Sequence, residues 1–281
     1  MNAKNAGAAP SANAPASSVA PDVGAAAGHE SIGRAIRAAA ARGRPALVGF
    51  MTAGFPSRER FRADLAKVAG CADVVEIGVP FTDPMADGMT IQRASRGALA
   101  QGVTLRWILD ELRAMQPRPQ APLLLMSYLN PLLACRLDAL PRAAREAGVA
   151  GVIVPDLPFE ECAELRDALG AEGVGLVQMV TPVTPDDRLK MLCEAARGFV
   201  YAVTMTGTTG KSVAVPDDVL AYLTRVKAVA PIPVCAGFGI RSREQVERLR
   251  GHVDGVVVGS ALVEVLERGD DPIAFLESLR A

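Results

Sequence analysis

The chain has 281 residues, half of them hydrophobic, with a formal net charge of −1 and only 4% aromatics. That balance supplies neither a broad cationic surface for nucleic acid or anionic lipid nor many rings for base stacking, so neither partner is expected. Five cysteines stand singly at Cys71, Cys135, Cys162, Cys193 and Cys235, without a CxxC pair or a nearby His, so neither a disulfide framework nor a zinc site is indicated.

A reducing cytoplasm fits that cysteine pattern best. No apolar run approaches the ~18 residues that cross a bilayer, and the start of the chain lacks the apolar core of a secretory signal. Residues 1–28 are rich in Ala, Ser, Pro, Gly and Asn and nearly free of large apolar side chains. They cannot offset the entropy of ordering, so a disordered tail is expected ahead of one domain at 29–281.

From Glu30 onward, after an opening helix, short apolar runs begin near Ala46, Asp73, Pro122, Gly151, Val174, Phe199, Ile232 and Asp254. Between them lie segments with helical spacing, such as Phe61, Leu65 and Val68, then Leu105, Ile108 and Leu112, then Val219, Leu223 and Val226. Strand alternating with helix implies parallel pairing through crossovers, and eight such units close most naturally into an α/β architecture, the (β/α)8 TIM barrel. A doubly wound open sheet is the competing reading.

In a barrel of this type the functional groups sit at the C-terminal ends of the strands and in the loops that follow. The second of these ends, VVEIGVPFTDPMADG at 74–88, places Glu76 inside a β-branched run and two further carboxylates, Asp83 and Asp87, among chain-stopping prolines and glycines. The seventh and eighth ends, AGFGI and VVGSAL, set Gly237, Gly239, Gly259 and Ser260 where backbone N–H groups and a helix start can receive a phosphate. Tight turns alone are the plainer reading of those glycines. The sixth end, VTMTGTTGKS, lacks the first glycine of a nucleotide P-loop, because Met205 stands in its place. A mobile lid carrying Gly207, Thr209 and Gly210 suits it better, with an ordinary surface loop as the alternative.

Absences narrow the chemistry. His29 lies at the tail junction and His252 precedes the eighth strand, at the bottom of a barrel. No strand carries a lysine that could form a Schiff base, and no His or carboxylate cluster suggests a metal. Carboxylates are therefore expected to move the protons. Glu76 leads, because burial disfavours its charged form and lifts its pKa from roughly 4.3 toward neutrality. Asp87, on the following loop, is expected to stay ionised in wetter surroundings. Asp83, Asp156 and Glu160 are read evenly as functional groups or as caps and solvated loop charges.

EIGVPFTDPMADGMTIQ strongly resembles the signature of the tryptophan synthase α chain family, and the likeness continues through MSYLNP, VPDLPFEE, VTMTGTTG, AGFGI and DGVVVGSALV. It covers nearly everything from about Glu30 to the C-terminus. The resemblance implies retro-aldol cleavage of indole-3-glycerol phosphate to indole and glyceraldehyde 3-phosphate on a barrel without metal or organic cofactor. It implies that Glu76 protonates indole C3 and takes the glycerol hydroxyl proton, while Asp87 meets the indole N–H. Tyr128, Tyr201, Thr209 and Phe238 fall at substrate-lining positions. Gly210, Gly237, Gly239, Gly259 and Ser260 fall at phosphate-binding ones, and Asp83 and Pro84 on a loop that faces a pyridoxal-phosphate β chain in an α2β2 complex. Met89, Phe55 and Met205 depart from the family pattern, where Pro, Asp, and Arg or Val are usual. Those departures keep a stand-alone lyase, and a non-catalytic activator of a β chain, as alternatives.

Overall fold

The computed structural model describes residues 28–204, 215–237 and 239–280. Of the expected 1–28 tail, residues 1–27 lie outside these, as do the sixth-loop residues Met205, Gly207, Thr209, Gly210 and Lys211, with Phe238, while Gly28 already belongs to the first helix. Eight parallel strands close in sequence order into a barrel, so the open sheet is set aside. They are β1 (Ala46–Thr52), β2 (Val74–Gly78), β3 (Leu123–Met126), β4 (Val149–Ile153), β5 (Gly175–Val180), β6 (Val200–Val203), β7 (Val234–Gly237) and β8 (Gly255–Val258).

Strand alternation divides the core in two. Val48, Phe50, Val74, Leu124, Ile153, Val177, Phe199, Cys235 and Val257 point into the barrel and form its inner packing. Leu47, Met51, Val75, Ile77, Leu125, Val152, Leu176, Ala236 and Val256 point outward, under the surrounding helices. The helical spacings read from the sequence fill that outer layer: α2 (Phe61–Cys71), α4 (Leu105–Arg113) and α9 (Asp217–Val229) bury Phe61, Leu65, Val68, Leu105, Ile108, Leu112, Val219, Leu223 and Val226.

The bottom of the barrel is closed by α1 (Gly28–Ala41), whose Ile32, Ile36 and Ala39 are fully buried in the inner cluster. The His29 backbone N–H and Nδ1 both lie near the Gly173 carbonyl, at 3.1 and 3.2 Å. His252 meets Thr224 Oγ1 at 2.8 Å ahead of β8. Both histidines therefore stand away from the strand ends that the sequence marks for chemistry. At the same lower rim Asp73 accepts from Leu47 N at 2.9 Å and Asp254 from Val234 N at 2.9 Å. The two carboxylates thus satisfy backbone donors where β1 and β7 begin. Among the described residues no helix is long and apolar enough to cross a membrane.

Candidate active site

The chain after β2 leaves the barrel's upper end at Gly78 and runs through Pro80, Pro84 and Gly88 before α3 (Met89–Ala100) starts. Parallel register sets Glu76 between Phe50 on β1 and Leu124 on β3, and all three belong to the inner face. Its side chain is 1% exposed, and neither carboxylate oxygen has a hydrogen-bond partner among the described residues. A carboxylate so placed resists ionisation. Burial, and next the negative charge of Asp87, push its pKa up to about 8.

Asp87 is half-buried at the rim of the same opening, in a narrow cavity walled by Phe50, Thr52, Ile91, Met126 and Tyr128. Burial lifts it to about 6, against the opposing effect of a hydrogen bond from the Tyr128 hydroxyl. It is less solvated than the sequence suggested, yet it remains the more acidic of the two. Tyr128 holds the loop in place: its hydroxyl accepts from Ala86 N at 2.9 Å, and its ring stacks on Phe81 at 5.0 Å between centroids. Burial keeps this phenol protonated by pushing it up to about 12.

Across the barrel Tyr201 on β6 packs against the inner cluster, beside Phe199 at 6.1 Å. Its pKa is driven well above the usual phenol value by burial, and next by the charge of Glu76. Gly237 is the residue that admits this ring, since a Cβ there would sit 2.6 Å from the Tyr201 hydroxyl. Gly237 also accepts from Thr204 Oγ1 at 2.7 Å. The glycines that follow are open among the described residues: none of these lies within 4 Å of a Cβ built at Gly239 or Gly259, and Gly239 has a φ of +64°, the left-handed region that favours glycine. Gly259 precedes α11 (Ser260–Arg268), whose first-turn N–H groups face the upper end of the barrel.

The remaining loop carboxylates divide as follows. Asp156 accepts from Leu129 N at 2.9 Å and serves as a cap. Glu160 is gripped by the Arg188 guanidinium, which holds its carboxyl down at about 2, and so it is an ion-pair partner. Asp83 is exposed beside Pro84, with Met85 92% exposed and Met89 68% exposed on the same stretch. Phe55 packs against α3, where a Cβ on Gly97 would meet its ring at 3.1 Å. Thr52 escaped the sequence reading. It is 2% exposed, and its Oγ1 has no hydrogen-bond partner among the described residues; alternation from Phe50 was the signal that could have found it on the inner face.

A family model described as tryptophan synthase alpha chain matches residues 36–280, which is most of the chain. The chain belongs to the tryptophan synthase alpha chain family. A relative of that name from Nitratidesulfovibrio vulgaris strain DP4 is 46% identical over 246 residues, covering 87% of this chain and 96% of that protein. Another, from Phenylobacterium zucineum, is 44% identical over 234 residues, covering 83% of this chain and 84% of that protein. Among solved structures, tryptophan synthase of Mycobacterium tuberculosis superposes with a TM-score of 0.81 at 36% identity, over 88% of this chain and 96% of the other. Tryptophan synthase subunit alpha of Legionella pneumophila superposes at 0.79 and 30% identity, over 89% and 96%. Membership makes the barrel, and not the departures at Phe55 and Met89, the frame for reading the site.

Proposed function

We propose that this chain cleaves indole-3-glycerol phosphate to indole and D-glyceraldehyde 3-phosphate as the α subunit of tryptophan synthase, with 29–281 as its catalytic domain. The observation that carries the reading is a buried Glu76, without a hydrogen-bond partner among the described residues, beside a more acidic Asp87, on adjoining parts of one strand and its loop. Two carboxylates whose surroundings hold their pKa values apart can take different parts in one reaction.

At neutral pH Glu76 starts protonated and Asp87 starts ionised. Glu76 gives its proton to indole C3, and the positive charge that develops at the indolenine nitrogen is met by the Asp87 carboxylate. Glu76, now a carboxylate in a dry setting, takes the proton of the glycerol hydroxyl next to C3. The carbonyl forms as the carbon–carbon bond breaks, and the bonding pair returns to the ring. Indole and the aldehyde leave with Glu76 protonated again, so no external acid or base is consumed.

Tyr128 keeps Asp87 in place by hydrogen bonding, and Tyr201 adds a neutral hydroxyl to the pocket. Gly237, Gly239, Gly259, Ser260 and Gly210 are the proposed phosphate contacts, with Thr209 and Phe238 beside the substrate. The exposed Asp83–Pro84 stretch, flanked by bare methionines, supports docking to a pyridoxal-phosphate β chain in an α2β2 complex. Five free thiols fit a cytoplasmic setting. Incubating the purified chain with indole-3-glycerol phosphate and following indole release tests the reading. Indole and glyceraldehyde 3-phosphate in equal amounts are expected, and no cleavage with a β chain present would refute it.

A further inference from the structure

On the outer side of the upper rim, Glu264 lies one helical turn after Ser260 on α11, which puts the two side chains on one face. Its carboxylate is taken by Arg241 in a two-point fork, Nη1 to Oε2 at 2.8 Å and Nη2 to Oε1 at 2.9 Å. Arg241 follows Gly239 by two residues, and its backbone is fixed by the Gln245 side chain, which accepts from Arg241 N at 2.8 Å and Ser242 N at 3.2 Å. On its other side Glu264 accepts from Thr90 Oγ1 at 3.1 Å. Thr90 sits in the first turn of α3, three residues after Asp87, and that turn holds the Asp87 carbonyl through Gln92 Nε2 at 2.9 Å. The loop bearing Asp87 and the two loops bearing the open glycines thus meet at one carboxylate.

We infer that Glu264 is a positioning residue that holds Asp87 in register with the phosphate-binding loops, acting through Thr90 on one side and Arg241 on the other. The inference rests on the proposed cleavage reaction. A substrate anchored by its phosphate presents its indole nitrogen at a fixed reach, so the separation between phosphate site and Asp87 decides whether charge meets charge. A misplacement of about 1 Å can cost roughly 100-fold in rate. A bidentate guanidinium–carboxylate pair fixes geometry in a way that a single flexible contact does not. Its part exposure, 30% for Arg241 and 25% for Glu264, leaves little stability for it to contribute.

The same two helices carry an internal control. One turn further along both helices, Arg93 on α3 pairs with Glu267 on α11, Nε to Oε1 at 3.0 Å and Nη2 to Oε2 at 2.6 Å; Arg93 feels the charge of Glu264, but the pair shares no hydrogen bond with Thr90 or Arg241 among the described residues. A purely structural bond between α3 and α11 would make the two rungs equivalent. The positioning role makes only the inner one matter.

The test uses the full chain with a β chain present and indole-3-glycerol phosphate as substrate. Thr90→Val, which keeps shape and loses the hydroxyl, is expected to lower kcat on the order of ten-fold, with glycerol 3-phosphate affinity and Tm unchanged and with recovery in Thr90→Ser. Glu264→Gln is expected to lower kcat and also to weaken glycerol 3-phosphate, because Arg241 loses its partner beside Gly239. Arg93→Gln should match the parent. Parent-like kcat in Thr90→Val, or equal losses in Thr90→Val and Arg93→Gln, would overturn the inference while leaving the reaction in place. A parent chain that does not cleave the substrate would instead remove the functional reading, and the inference with it.

Discussion

Among the described residues Glu76 has no cation and no donor to stabilise its charge, so its protonation is tied both to the proposed reaction and to the fold. The proposed cleavage needs Glu76 protonated and Asp87 ionised, and their pKa values stand at about 8 and about 6. The pH profile of kcat/KM should therefore be bell-shaped, rising as pH passes about 6 and falling beyond about 8. Steady-state rates from pH 5 to 9.5 check this, and a flat profile above 8 would remove Glu76 as the acid. The stability linkage has the same origin. A carboxyl raised on folding keeps its full contribution below the ordinary value of 4.5 and loses it progressively as pH rises to about 8. At this scale the sequence showed the anomaly, a carboxylate amid β-branched residues, but not its surroundings. Tyr128 reaches the Asp87 loop from 41 positions away, and the glycine at 237 answers to a ring on another strand. Such pairings exist only once the barrel closes, which is why Asp87 looked wetter in the sequence than it is.

The strands were legible as elements because each is a short apolar run between chain-stopping residues, and all eight observed starts lie within two positions of those runs. Periodicity also identified the outer helices, since a residue facing a buried sheet must be apolar at every turn. What it could not supply is which loop carboxylate caps a neighbour: Asp156 and Glu160 are spoken for by Leu129 N and Arg188, contacts set by how adjacent loops lie. The closing helix α1 is the element whose loss the interior would feel most plainly. Ile36 is fully buried against the lower inner layer. Ile36→Ala should cost about 2–5 kcal/mol of stability through lost burial and a residual cavity. Denaturant unfolding would show this as a lower midpoint, while kcat at a permissive temperature should hold, because α1 is at the far end from Glu76. A fall in kcat without loss of stability would mean that the floor of the barrel communicates with its mouth.

Across the whole molecule the exposed methionines Met85 and Met89, beside the exposed Asp83, form the surface that a monomer has least reason to keep. Docking of a β chain there would bias the loops toward their closed arrangement, so its addition should raise cleavage by ten-fold or more, about 1.4 kcal/mol of barrier. Asp83→Ala should reduce that stimulation and leave basal turnover alone, as read from indole release in a β-chain titration. A fast isolated chain that ignores the β chain would point to a lyase acting alone. Both arrangements depend on the same proton carrier, and the most direct measurement is the turnover of Glu76→Gln with the β chain present, set beside calorimetric affinity for glycerol 3-phosphate. The amide keeps size and polarity but can neither give nor regain the proton, so kcat is expected to fall by at least about 100-fold with affinity unchanged. Turnover near the parent's in that variant, with phosphate still bound, would contradict the assignment of Glu76 as the group that moves both protons.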